Sequence, residues 1–478
     1  MRAAVNQLLM ITMLAIGQAE CVDAAIADRA AQPTAANIRY LVLPEGKDWA
    51  PVLSGHCNQL SRESDITRPT AVGGNERVVR INLDDYTWPA ELWDQLADAD
   101  PWYHVRIEVD EICSWPGGNW PGDGKHYPAG SFRYHVKTQR ATALAPWMGP
   151  NAGKLAEMCR TRAPILRADW FFNQTAIQAD RRPGYYDFLG VKNEADFQKL
   201  IGFDAKKKRR RVEVMEAVAE SGVSLQDRAI IREDDAYWIT YDFRRAKEKV
   251  NPLQVLGRDI QEEFRRADKT AAASEQYGQL PNYFWATFLG NSAGERQDSA
   301  PDFIAHDHRS KSNDKRVHVN ASCMRCHANA GLQDIDGWVR NLAQPPLALQ
   351  SPDYEVYRLL RQQYIRRLEP FLERDRRAYT EAVQLATGWD AKVYAAKYAA
   401  AWEYYEDARV DAAWAARDCH LPEKEFLGKL AAYTKATRSI DLVLGNFLHE
   451  GPRRRTVSIR QWEAAFPKAM EILRGIPK

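Results

Sequence analysis

Within five residues, Cys323-Met324-Arg325-Cys326-His327, the chain sets two thiols and an imidazole at the spacing C-x-x-C-H. Residues three apart lie on one face of a helical turn, so Cys323 and Cys326 can reach the two vinyl groups along one edge of a porphyrin. His327, next in line, can then swing its imidazole beneath the iron as the proximal ligand. With 7 cysteines and 10 histidines in 478 residues, about 0.002 such matches arise by chance. The pattern predicts one covalently bound haem c, anchored by Cys323 and Cys326, with His327 as metal ligand.

Two other chemistries use C-x-x-C. A thioredoxin-like dithiol needs a strand running into the motif and a helix after it. Here a polar loop, Ser310-Lys311-Ser312-Asn313-Asp314-Lys315-Arg316, comes first. A zinc site needs a fourth ligand from elsewhere, and no second C-x-x-C stands nearby. His306-Asp307-His308 with Asp314 has the composition of a metal cluster but reads as a solvated loop.

The N-terminus fits such a cofactor. Arg2 precedes the nine-residue apolar run Leu8 to Ile16. Small residues follow, with Ala25-Ile26-Ala27 or Val22-Asp23-Ala24 as cleavage sites. Residues 1–27 therefore read as a secretory signal peptide, too short to span a bilayer. The competing readings are a buried N-terminal helix or, through Cys21, a lipoprotein, for which Gln18-Ala19-Glu20 is a poor lipobox. The expected location is the periplasm of a Gram-negative bacterium, with no membrane span. Outside the cytoplasm, Cys57, Cys113, Cys159 and Cys419 would form two disulfides in one of three connectivities, or stay as buried free thiols. Cys113–Cys159 is the favoured pair because it would close the irregular stretch holding Pro116-Gly117-Gly118, Pro121-Gly122 and Gly124.

Net charge is +2, which argues against nucleic acid as the main partner. The run Lys206 to Arg211 reads as a solvated face, with an electrostatic dock for an acidic redox partner as the sharper alternative.

The fold expected is α+β in the N-terminal part and mostly α in the C-terminal part, with the haem at the junction. The division is 28–300 for the first domain, 301–345 for the haem-attachment segment and 346–478 for the helical domain. Alternation predicts strands at Ile38 to Leu43, Arg77 to Leu83, Tyr237 to Phe243 and Tyr283 to Leu289, the last ending in a turn at Gly290-Asn291. Helices are predicted at Pro89 to Leu96, Glu194 to Ile201 and Asn251 to Arg266, with Pro252 at the first position. Beyond Ser351-Pro352 a helix carries Tyr354, Tyr357, Leu360, Tyr364 and Leu368 to Pro370. A long helix is predicted over Lys392 to Arg417. Its stripe Tyr394, Tyr398, Trp402 and Tyr405 reads as core packing, or as an aromatic wall against the haem. Ser458 and Gln461 predict a capping box before the last helix.

The sixth iron ligand is open. Besides Met324 within the motif, the methionines after the signal are Met148, Met158, Met215 and Met470. None has the downstream spacing of a small cytochrome c. The histidine candidates are His306, His308, His318, His420 and His449, each of which also reads as an ordinary surface histidine. Arg316, Trp338 and Arg340 flank the motif, and one of the arginines is expected to pair with a haem propionate.

Several segments together resemble a group of exported monohaem c-type cytochrome-like proteins, frequent in planctomycetes and some proteobacteria. They are residues 77–88 (RVVRINLDDYTW), 167–171 (RADWF), 221–224 (SGVS), Tyr237-Trp238 with Tyr241-Asp242-Phe243, Leu280-Pro281-Asn282, and 319–327 (VNASCMRCH). The resemblance covers most of residues 38 to 345 and more faintly the helical tail. It implies one c-type haem and electron transfer, and no catalytic residue. A Trp-, Gly- and Cys-rich insertion at about 110 to 160 departs from the group, where a short Tyr-Pro-Tyr-Gly segment is common. The expected function is electron transfer with a redox partner protein, rather than enzymatic turnover. The alternatives are a five-coordinate haem that senses a gas or reduces peroxide, and a haem-stapled binding scaffold. Oligomeric state is not legible in the sequence.

Overall fold

The computed structural model describes residues 37–44, 48–73, 75–100, 104–114, 118–119, 125–143, 152–161, 163–178, 183–203, 212–218, 227–233, 237–243, 273–302, 304–308, 310, 315–332, 369–419, 421–449 and 456–473. The signal segment, the basic run 206–211, the helix at 251–266, Trp338, Arg340 and residues 351–368 fall outside them, as do Met148, Asp314 and His420. The described chain mixes α and β structure and has a helical C-terminal region.

Two sheets organise the first part. A four-stranded sheet runs in the order Thr70–Val72, Asn75–Asn82, Ile38–Val42, Ile165–Arg167. Its strands alternate as the sequence predicts, and both faces are buried. Leu41, Val79 and Ile81 enter the main core, while Ile38, Tyr40 and Val78 join a small cluster with Cys159 and Ile165. A six-stranded antiparallel sheet runs Arg296–Gln297, Trp285–Asn291, Ala273–Gln279, Tyr237–Phe243, Asp227–Glu233, Val212–Val218. Spatial neighbours are sequence neighbours, so it is a meander. Strands His104–Ser114 and Arg133–Ala143 pair as a hairpin within the Trp- and Gly-rich insertion.

The predicted strand at Tyr283 to Leu289 is displaced to Trp285–Asn291. Tyr283 takes a positive φ of 67° and its amide bonds to Leu280 O, so it belongs to the preceding turn. Gly290 and Asn291 pair with Ser274 and Ala273, and the turn comes after them. Two donors on this strand are closed by the helix Tyr185–Leu189. The Tyr185 hydroxyl accepts from Thr287 N at 2.8 Å and the Tyr186 hydroxyl from Leu289 N at 2.9 Å.

Helix Trp49–Gln59 is not foreseen by the sequence pattern, because its buried positions include Ser54, His56, Asn58 and Gln59 and so show no apolar stripe. Each of these side chains has a partner. Ser54 donates to Ala386 O, His56 Nε2 to Thr175 Oγ1, Asn58 to Ser54 O and Thr67 O, and Gln59 to Asn320 Oδ1. Thr175 gives its own proton to Phe171 O, so His56 is the donor in their pair. Burial pushes His56 down to about 3 and keeps it neutral. Gly55 lets Tyr394 lie directly on this helix, where a Cβ would strike the tyrosine ring.

The main core gathers residues from Leu41 to Trp402, so the first described helices after the motif pack into it. Helix Glu369–Thr387 is joined to the six-stranded sheet by an ion pair. Arg232, fully buried, bonds Asp375 at 3.1 and 3.2 Å, and Trp238 Nε1 donates to the same carboxylate at 2.9 Å.

The predicted helix over Lys392 to Arg417 breaks in two, Ala391–Asp407 and Ala412–Asp418. Between them Arg409–Val410 pairs with Val457–Ser458, and Asp411 caps the second helix by accepting from Trp414 N. Tyr394, Tyr398, Trp402 and Tyr405 are all buried. The capping box forms: Gln461 Oε1 accepts from Ser458 N and Ser458 Oγ from Gln461 N. The last helices, with Tyr405, Phe426, Phe447 and Trp462, close a separate cluster. No described helix is long and apolar enough to cross a membrane.

That second cluster contains a titrating carboxyl. Burial pushes Asp418 up to about 6, against the opposing pull of Arg167, the Trp462 N–H and Arg417, with Asp169 adding to the rise. Its folded value lies above its unfolded value, so the folded state binds the extra proton. The stabilisation contributed by this group is therefore fully present below about pH 4, is lost as pH rises to about 6 and is absent above, a change of about 2–3 kcal/mol from this one carboxyl. Asp418→Asn is expected to flatten this segment of the curve and to gain about 1–2 kcal/mol at neutral pH. Urea midpoints of both proteins at intervals across that range check it.

Cys57, Cys159 and Cys419 are buried free thiols, each in a different cluster, so none pairs with another. The Cys113 side chain lies outside the described residues.

Candidate functional site

The motif forms its own helix, Ala321–His327. It begins at a strained residue. Asn320 has φ 62° and ψ −66°, and the Ala321 amide bonds back to Val319 O, which closes a γ-turn around it. Two buried bonds hold this conformation: Asn320 Oδ1 accepts from Gln59 Nε2 at 2.6 Å, and its Nδ2 donates to Ala176 O at 3.0 Å. Asn320 O then accepts from Met324 N at 2.7 Å and starts the helix. Met324, fully buried, anchors the inner face.

On this helix Cys323 and Cys326 are one turn apart, the first buried and the second half-buried. Strand Ala273–Gln279 lies against them. Its alternation puts Glu275 and Tyr277 on one face, beside Thr240 and Trp238 of one neighbouring strand and Leu289 and Thr287 of the other. Cys323 Sγ donates to Glu275 Oε1 at 3.3 Å. His327 Nδ1 bonds Gly331 O at 2.8 Å. A carbonyl can only accept, so Nδ1 carries the proton, and in the neutral ring Nε2 presents its lone pair. The Tyr277 hydroxyl stands 3.3 Å from that Nε2 and also contacts Glu275 Oε1. Gly331 takes φ 67° and packs against Trp285, where a Cβ would overlap the indole.

Arg325, between the two cysteines, is half-buried. It pairs with Asp307 at 3.1 Å, and Asp307 accepts from Ser310 N as well. Asp307, predicted to sit in a solvated loop, is instead 4% exposed and clamps the motif helix. His306 and His308 flank it with rings 5.8 Å apart. Among the described residues no three His, Cys, Asp or Glu side chains converge as a metal cluster.

The environment also separates the possible chemistries of the two thiols. Burial first, and then Glu275, hold the Cys323 thiol well above its usual range. Dithiol exchange needs a ready thiolate, and this position disfavours one. A covalent haem asks for different things: two cysteines one turn apart, and a histidine whose outer nitrogen is fixed as acceptor by a bond at the inner one. Both are present. Two buried donor atoms by the motif, Trp285 Nε1 and Arg325 Nε, have no hydrogen-bond partner among the described residues, and a haem propionate is the kind of acceptor that would satisfy them. The residues therefore fit the group.

Of the sixth-ligand candidates, Met470 lies in the C-terminal cluster, Met158 packs on the small cluster with Cys159, and Met324 points into the core. His306 and His318 are half-buried, and His308 and His449 exposed; the Met215 side chain is outside the described residues. Arg316 is exposed, Arg340 lies outside the described residues, and the half-buried arginine within the motif is Arg325. Sequence reasoning missed Glu275, Tyr277, Asn320 and Gly331. Only Gly331, four residues past His327, carried a local signal. A surface cleft of about 670 Å³ opens nearby between Asn329, Thr380, Gln384 and Lys392, and its lining does not include Cys326 or His327.

No family model, curated protein or solved structure matches this chain.

Proposed function

We propose that this chain is an exported monohaem c-type cytochrome that transfers electrons to or from a partner protein. One observation carries the reading. The motif helix presents Cys323 and Cys326 on one turn, and His327 is held through Nδ1 by Gly331 O, which leaves Nε2, beside the Tyr277 hydroxyl, as the lone-pair nitrogen. When bound, haem c supplies a one-electron ferric/ferrous couple. The chain's residues do the rest. Cys323 and Cys326 fix the ring covalently, and His327 supplies the proximal nitrogen. Gly331 O and the Asp307–Arg325 pair hold that nitrogen and its helix in place.

The test is covalent haem in protein secreted with haem-attachment machinery. Wild-type chain is expected to retain haem stain after denaturation and to give a c-type pyridine haemochrome. The Cys323→Ala/Cys326→Ala double variant should lose all the stain, and each single variant most of it. Wild-type protein without covalent haem would refute the reading. A reversible one-electron midpoint in spectroelectrochemistry, with no turnover of peroxide, separates the carrier from a peroxidase.

A further inference from the structure

Resting on the reading that His327 ligates a haem iron, we propose that Arg376 and Tyr379 of helix Glu369–Thr387 are positioning residues for that ligand. They act through the loop 328–332, which carries the hydrogen bond on His327 Nδ1, and so hold the midpoint potential down. The loop is bonded at both ends and in its middle. Ala328 O accepts from the Tyr379 hydroxyl at 2.9 Å, and Leu332 O from Arg376 Nε at 2.7 Å. Between them, Gly331 is tied to His327 twice. Its N–H donates to His327 O at 2.7 Å, and its carbonyl takes the Nδ1 proton at 2.8 Å. Trp285 backs the same residue, since its indole lies where a Gly331 Cβ would be.

The helix is suited to this grip. Arg376 and Tyr379 stand at i, i+3 and share one face, so one rigid element meets both ends of the loop. Tyr379 is fully buried, its ring edge-on to Phe284 at 5.9 Å, and its bond is made out of water. The two sides that hold the loop are also joined to each other. Gln279, opposite Trp285 in the sheet, donates to Asp375 O at 2.8 Å, and Asp375 precedes Arg376 on the helix. The Gly331 carbonyl is therefore aimed by a frame and not by the loop alone. The consequence appears at the other ring nitrogen. A carbonyl fixed on Nδ1–H raises the basicity of Nε2 as a ligand. A more basic ligand favours ferric over ferrous iron, so a tight brace lowers the midpoint potential and a loose one raises it.

The experiment uses full-length holoprotein. Tyr379→Phe keeps the ring and the net charge and removes one donor. It is expected to keep the pyridine haemochrome yield and to raise the midpoint potential in spectroelectrochemistry. The His327 Nδ1 proton should exchange with solvent about five- to tenfold faster, as the loss of one neutral hydrogen bond allows. Arg376→Lys, which keeps the charge but not the planar donor, should move both readings the same way. Tyr405→Phe, at a buried tyrosine of the C-terminal cluster, is the control and should move neither. A Tyr379→Phe potential equal to wild type, or a rise matched by Tyr405→Phe, overturns the positioning role while leaving the haem reading intact. Absence of covalent haem in wild type overturns both. Wild type also decides by itself. With isotope-labelled histidine rings, its reduced form should keep the His327 Nδ1 proton signal after transfer to heavy water. Immediate loss of that signal overturns the brace even where the variants fold poorly.

Discussion

Asp375→Ala is expected to destabilise the protein by about 3–5 kcal/mol, because it removes a carboxylate that a fully buried guanidinium bonds through two nitrogens. Arg232 has no exposed surface; it meets the Asp375 carboxylate through two nitrogens and lies over the Phe371 ring at 4.9 Å. Removing the carboxylate also strands the Trp238 N–H. Arg374 touches the same carboxylate from the surface, with 61% of its side chain exposed, and contributes little. Urea denaturation at fixed pH should show the midpoint falling with the slope unchanged. The paired replacement Arg232→Met with Asp375→Leu should recover most of the loss, since apolar groups of similar volume carry no desolvation cost. A double variant as unstable as Asp375→Ala would mean that the pair itself stabilises the fold. Through this pair the 369–387 helix is pinned to the sheet whose next strands carry Tyr277 and Trp285.

Asn320→Ala is expected to cost about 3 kcal/mol. Two buried groups, the Gln59 amide and Ala176 O, lose their partner at once, at about 1–3 kcal/mol each before relaxation. Alanine must also keep a positive φ. Asn320→Gly gives the same loss of bonds but accepts the backbone freely, so it should be less unstable than the alanine variant by about 1 kcal/mol. Equal midpoints for the two variants would show that the turn relaxes and that strain plays no part. Amide exchange at Met324, whose N–H bonds Asn320 O, should rise in both variants, because the first turn of the motif helix begins at that bond.

Much of the secondary structure is legible where alternation or periodicity coincides with burial. Strands at Ile38, Arg77 and Tyr237 and helices at Ala90 and Glu194 appear near their predicted positions. The stripe Tyr394, Tyr398, Trp402 and Tyr405 is buried, in keeping with a core role. Helix Trp49–Gln59 is invisible for a physical reason: its buried residues mix apolar Trp49, Val52 and Leu53 with hydrogen-bonded Ser54, His56 and Gln59, so no clean apolar stripe appears. The break after Asp407 depends on a two-residue bridge to Val457–Ser458, a contact no local window contains. At the site, Cys323, Cys326 and His327 are legible because they stand in one contiguous motif of fixed spacing. Glu275 and Tyr277 come from about fifty residues upstream, through strand register, and nothing in their local sequence marks them.

The two hydroxyls of Tyr185 and Tyr186 have a consequence beyond the fold. Among the described residues, the strand Trp285–Asn291 pairs on its outer side with the short Arg296–Gln297 strand at Leu289 and Gly290. An open row of amides there would be a template for another chain's backbone. By accepting from Thr287 N and Leu289 N, the two tyrosines occupy the donors that such a chain would need. They act as end-stops against strand addition, so that a sheet rich in Trp, Phe and Tyr resists self-association through this edge.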